Sequence, residues 1–187
     1  MRALLLLLPL LLILSACQTP LLERDFDPNR DFAAYRNWSW QEPGVQYKPD
    51  DPRLNSDLTG QRIRAAVSEQ LEQRGLRAAA GNTPGDLKVQ VWLIVDKRQQ
   101  QVSTQVGGSW GDPWGGGFWG GPSYVETRNV DYQVSTLQID LLDGKDGQLV
   151  WRGSAEQVLR NRQPTPRERE TAIRQTVAEV LSQYPPR

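Results

Sequence analysis

Five apolar residues alternate without a break in the middle of this chain: Leu87, Val89, Val91, Leu93 and Val95. A period of two puts them on one face of a strand, and burying that face requires a second layer of structure. The opposite face carries Lys88, Gln90, Trp92, Ile94 and Asp96. Cys17 is the single cysteine, so no disulfide within the chain can hold the layers together and packing alone must do so. A chain of 187 residues is long enough to build one domain with a sizeable core.

The covering layer is legible as two amphipathic helices. Ile63, Val67 and Leu71 recur every four residues between Ser56 and Arg74, with Asn55 or Ser56 placed to cap the start. Gly75 followed by Leu76 reads as a left-handed stop. Near the C-terminus, Thr165-Pro166-Arg167-Glu168 combines a capping box with proline at the first helical position. Ile173, Val177, Val180, Leu181 and Tyr184 then share a face, and Pro185-Pro186 ends the helix.

Three more strands are expected. Phe32 to Trp40 is rich in aromatics, with loop from 41 to 53. Residues 130–142 change phase: Val130, Tyr132 and Val134 keep one parity, and Leu137, Ile139 and Leu141 keep the other. That switch predicts a bulge near Ser135-Thr136. Asp143 to Gly147 is a turn, and Leu149 to Val158 returns as a hairpin partner. These elements predict an α+β fold: a largely antiparallel four-stranded sheet, order β-α-β-β-β-α, with both helices packed on one face.

The N-terminus has a different character. Arg2 precedes an apolar run from Ala3 to Leu14 of about 12 residues, too short for a membrane-crossing helix of about 20. Leu14-Ser15-Ala16-Cys17 resembles the bacterial lipobox. That resemblance implies a signal peptide over 1–16, cleavage before Cys17, and a thioether-linked diacylglycerol that anchors the mature protein to a lipid bilayer. Gln18 is not the aspartate that marks inner-membrane retention in such signals, which implies the outer membrane, facing the periplasm. Residues 17–30 then read as a lipidated tether, with two prolines and no clear period, leading into one domain over 31–187.

Taken as a set, several segments resemble one family of bacterial lipoproteins. They are Asp25-Phe26-Asp27-Pro28, Asp31-Phe32, Tyr35 to Trp40, Gly85 to Val89, Thr136 to Asp143, Leu149 to Gly153 and Tyr184-Pro185-Pro186. The family is domain-of-unknown-function family 4136, and the resemblance covers roughly 25–187. It implies a small α+β lipoprotein domain and supplies no catalytic residues.

Residues 107–121 fall outside that shared pattern. Eight of these 15 are glycine, and they hold Trp110, Trp114 and Trp119, three of the seven tryptophans, together with Phe118. So much glycine cannot build a core by itself. Two readings of this loop stand side by side: a low-complexity hairpin whose aromatics fold back on the sheet, or a contact surface for a bilayer, a glycan or an envelope protein. Trp110, Trp114, Phe118 and Trp119 are the candidate contacts in the second.

Composition excludes several chemistries. Histidine is absent, which removes the commonest general base and zinc ligand. With Cys17 acylated, no soft-metal site remains, and no cofactor or metal is expected. Lys and Arg balance Asp and Glu at 22 each, and the arginines are scattered rather than clustered as a nucleic-acid partner requires. Asp140, Asp143, Asp146 and Glu156 are the carboxylates a hydrolase could use, but Asp143 and Asp146 sit in a turn that favours Asp for its backbone hydrogen bonds. Arg152 reads as a solvated strand residue rather than an anion site, and the Gly runs lack the Lys-Ser/Thr of a phosphate loop. The sequence therefore points to a non-enzymatic envelope protein that binds or supports a partner, with a peptidoglycan- or polysaccharide-binding module as the alternative and a carboxylate-dependent hydrolase behind both.

Overall fold

A computed structural model of the chain describes residues 21–52, 55–81, 83–106, 124–159 and 164–186. In chain order the elements are β1 (Leu21–Phe26), a single 3-10 turn (Phe32–Ala34), β2 (Asn37–Lys48), α1 (Asp57–Gln73), β3 (Arg77–Ala78), β4 (Leu87–Val106), β5 (Tyr124–Asp143), β6 (Leu149–Val158) and α2 (Pro166–Leu181). The strands form one six-stranded sheet in the order β1-β6-β5-β4-β2-β3. Neighbours from β1 to β4 are antiparallel. The pairs β4–β2 and β2–β3 are parallel.

This sheet corrects the four-stranded, largely antiparallel expectation: it has six strands and is mixed. One added strand, β1, lies in the stretch read as tether, where Leu22 and Phe26 pack against the core from the same side. The other, β3, is a two-residue strand directly after α1. β2 also runs through residues 41–48, expected as loop. Pro43 and Gly44 are absorbed where the β2–β4 register shifts between Trp40 and Val45, because a bulge can house a residue that has no amide hydrogen to give the ladder.

Both helices follow from their ends. The Ser56 side chain accepts from the Thr59 amide at the start of α1. Its end is a Schellman stop: Leu76 N–H donates to Leu71 O and Gly75 N–H to Glu72 O, with Gly75 at φ 86°. At α2, Thr165 and Glu168 make the reciprocal capping box. Ile63, Val67 and Leu71 of α1 and Val177, Val180 and Leu181 of α2 meet Leu87, Val89, Val91, Ile139, Leu141 and Trp151 in one buried cluster. Gly153 belongs to that packing, since a Cβ there would collide with the Trp151 ring and with Val180.

The β4–β5 ladder runs unbroken from Leu87↔Asp143 to Val106↔Tyr124. No bulge occurs at Ser135-Thr136. The phase switch instead marks where the helix-covered part of the sheet ends. β2 leaves β4 at Ile94, and β6 leaves β5 at Val134. From there the hairpin continues, two-stranded from Lys97↔Gln133, as a ribbon of residues 97–106 and 124–133. Directly paired residues share a face of the sheet, so Val130, Tyr132 and Val134 lie on the face opposite to Leu137, Ile139 and Leu141, the side away from the helices.

Candidate functional site

The residues that looked chemically active in the sequence are clasps of the fold. Arg30 reaches three carboxylates: Asp27 at 3.3 Å, Asp143 at 3.2 Å and Asp146 at 2.7 Å. The Tyr35 hydroxyl donates to Asp143 Oδ2 at 2.9 Å, and the amides of Lys145 and Asp146 donate to its Oδ1. The segment after β1 is thereby tied to the β5–β6 turn. Burial pushes the Asp143 carboxyl up, but the Lys145 and Asp146 amides, the Tyr35 hydroxyl and the Arg30 charge outweigh it and hold the group below its ordinary range. The Tyr35 hydroxyl moves the other way, pushed up to about 12 by burial and by its bond to Asp143.

A second clasp joins the starts of β2 and β4. Asp86 Oδ2 accepts from the amides of Arg36 and Asn37, and Asn37 Oδ1 accepts from the Asp86 amide. Gly85 donates to Ser39 Oγ at 3.0 Å, and a Cβ on Gly85 would strike the backbone of Trp38 and Ser39. Parallel strands lack a hairpin to set their register, and these side chains set it.

A third lies on the helix-free face. Asp140, 4% exposed, receives a bidentate Arg152 at 2.7 Å on each oxygen, with Gln138 donating to both. Glu156 is likewise held by Arg98. Each of the four candidate carboxylates is thus engaged by an arginine, and Arg152 serves a buried aspartate rather than an external anion.

One shallow groove, about 380 Å³, lies between α1 and α2, lined by Ala66, Glu69, Gln70, Thr171, Arg174 and Ala178, and the Arg174–Glu69 ion pair bridges the two helices beside it. No group of three His, Cys, Asp or Glu side chains among the described residues is arranged to hold a metal. No helix among them is long and apolar enough to cross a membrane.

The ribbon is what remains. Its helix-side face is mostly polar, with Gln99↔Asp131, Gln101↔Asn129 and a Ser103–Thr127 hydroxyl contact of 3.3 Å, and carries the exposed Val125. Val102 and Val130 lie on the other face. At about 3.4 Å per residue, the ten positions from Lys97 to Val106 extend ~34 Å beyond the sheet's other strands. Its two strands are joined by the Gly/Trp-rich segment. Cys17, Trp110, Trp114, Phe118 and Trp119 lie outside the described residues. Polar spacing gave the sequence reading no sign that Gln99 to Gln105 continue β4. The signal that could have found them is the strand-forming Tyr124 to Tyr132 on the other side of the glycines.

These features define an α+β domain: one mixed sheet, two helices on one face, and a long ribbon projecting from the sheet's end. The chain belongs to the family described as domain of unknown function (DUF4136), whose pattern matches residues 22–186. Among solved structures it is similar to a DUF4136 family protein from Bacteroides thetaiotaomicron, at 17% identity and TM-score 0.50, covering 90% of this chain and 97% of that one. It is also similar to a PDZ domain protein from Parabacteroides distasonis, at 15% identity and TM-score 0.53, covering 90% of this chain. There the chain spans only 37% of the longer protein. At such identities the likeness is one of fold alone. No curated protein matches the chain.

Proposed function

We propose that this is a lipid-anchored protein of the bacterial outer membrane, facing the periplasm, which binds an envelope partner without turnover through the Trp/Gly segment that joins the ribbon's two strands. The ribbon is the observation that carries this reading. Most of its side chains are exposed and it lies beyond the core, so a structural role within the domain does not account for it. Its strands end at Val106 and Tyr124, the two residues that segment 107–123 joins, and Trp110, Trp114, Phe118 and Trp119 are of the type that dominates binding sites.

The position of β1 supports the anchor. Leu21 pairs with Glu156, which stands opposite Thr136, which pairs with Ile94. The chain therefore enters the fold level with the ribbon's root. Three residues separate Leu21 from Cys17, and the four steps reach at most ~14 Å. Acyl chains on Cys17 keep that end of the sheet near the bilayer, and the partner belongs to the membrane-proximal periplasm.

The test is a photo-reactive residue in place of Trp114 in the full chain, cross-linked in intact cells, beside a pull-down of envelope proteins by the chain with and without residues 107–121. We expect one envelope-protein adduct, the same protein in the pull-down and its loss there on deletion, and unchanged co-sedimentation with peptidoglycan. A pull-down that survives the deletion, or retention on purified peptidoglycan that depends on the segment, overturns the protein-binding reading. Mass spectrometry of the isolated protein checks the anchor separately: an unmodified Cys17 removes it.

A further inference from the structure

We infer that the outer edge of β5 along the ribbon is a self-complementary surface that pairs with the same edge of a second copy of this chain. The inference does not depend on Cys17 or on the Trp/Gly segment. β5 has no strand on its outer side before Val134, and β4 has none after Ile94, among the described residues. An isolated two-stranded ribbon is marginal in water, and a bare edge is a template for another strand. Lipid cannot cover it, because the open backbone groups of both edges would go unsatisfied in hydrocarbon.

The edge sequence from Tyr124 to Val130 selects its partner. Consider an antiparallel pairing about a two-fold axis at Thr127. Thr127 then faces its own counterpart, and Glu126 of each copy faces Arg128 of the other. Slipping the register by two residues in either direction puts Glu126 opposite Glu126, or Arg128 opposite Arg128, and like charges directly opposite destabilise a ladder. One register is therefore favoured on charge alone. Neither Glu126 nor Arg128 is in an ion pair among the described residues, whereas Arg98 on β4 is already held by Glu156. Val125 is 65% exposed and Val130 39%. The open edge of β4 is less suited: a two-fold axis at Lys97 would set Asp96 against Arg98, but it puts lysine against lysine and Arg98 is already held by Glu156, and Gln99, Gln100 and Gln101 beyond are uncharged. In the pair, the second copy's strand takes up the line that β6 leaves after Val158.

Charge exchange in the full-length protein, purified in detergent and weighed by sedimentation, tests this. The unaltered chain should be a dimer. Glu126→Arg or Arg128→Glu alone puts four like charges around the axis and should raise the dimer Kd about tenfold or more. The double variant Glu126→Arg with Arg128→Glu restores both pairs and should restore the dimer. Thr127→Cys, opposite itself across the axis, should give an oxidised dimer, and Ser103→Cys on the β4 side should not. A monomer at all concentrations overturns the inference. So does a dimer indifferent to both single reversals, or a Thr127→Cys adduct in cells with a different protein and none between copies.

Discussion

At the scale of single residues, the stability of this domain rests on buried or half-buried polar groups that reach across the chain. Asp143 is the clearest. Its folded carboxyl is held below its ordinary range, so it contributes stability at pH above the unfolded value of about 3.9, and that contribution is lost as pH falls from there through the lower folded value. Asp143→Asn should flatten the acid limb of a stability-against-pH curve, read by denaturant unfolding between pH 2 and 6 on a ~1-unit grid. An unchanged acid limb in the variant would show that other carboxylates control it. Tyr35 works in the opposite direction. Its hydroxyl, raised to about 12, stabilises fully below about pH 10 and loses that effect as pH rises toward 12. Glycine sets the second residue-scale constraint. Gly153→Ala forces a Cβ into Trp151 and Val180, and overpacking of this kind costs about 1–3 kcal/mol, measurable as a lower urea midpoint at constant slope.

At the scale of elements, what could be read in the sequence was what is local. The capping box of α2 is written in four consecutive residues, and the structure contains both of its hydrogen bonds. Thr165→Ala should cost about 1 kcal/mol of stability, and Thr165→Ser should leave it near the original value. A Thr165→Ala protein as stable as its parent would mean that the helix end is held by tertiary contacts alone. The alternation at Leu87 to Val95 was equally local. β1 was not, because Leu21 to Phe26 find their partners at Trp151 to Glu156, and no short-range pattern announces a pairing that distant. Prolines on either side made the segment look like a spacer. The start of β2 is legible in the spacing of Trp38 and Trp40, but its continuation through 41–48 is hidden by Pro43 and Gly44, residues that break a regular ladder and are tolerated at its register shift. The phase switch in β5 was visible but explained wrongly. It records the end of the helix layer, beyond which the apolar parity crosses to the other face without an inserted residue. The turn at Asp143 to Gly147 already favours a structural role for its carboxylates, but sequence shows charge without showing that Asp140, Asp143, Asp146 and Glu156 close on Arg152, Arg30 and Arg98.

At the scale of the whole molecule, the chain divides its work between a packed body and a projecting ribbon, and the two should be separable. The body holds the buried cluster, both helices and all three side-chain clasps. Beyond Arg98 and Tyr132 the ribbon contributes no residue to that cluster. Replacing residues 99–131 with Asn-Gly supplies a two-residue turn suited to the paired ends Arg98 and Tyr132, and it keeps the Arg98–Glu156 bridge. The shortened protein should unfold within about 4 °C of the full chain, since a domain of this size moves roughly 2–4 °C per kcal/mol. In the full chain, amides at 99–106 should exchange with solvent far faster than those at 87–93, which lie between β2 and β5. Amides on the outer edge at 124–130 should slow only at concentrations where two copies associate. If the shortened protein instead melts ten degrees lower, the ribbon is part of the body's stability, and its length must be explained by folding rather than by what it carries or joins.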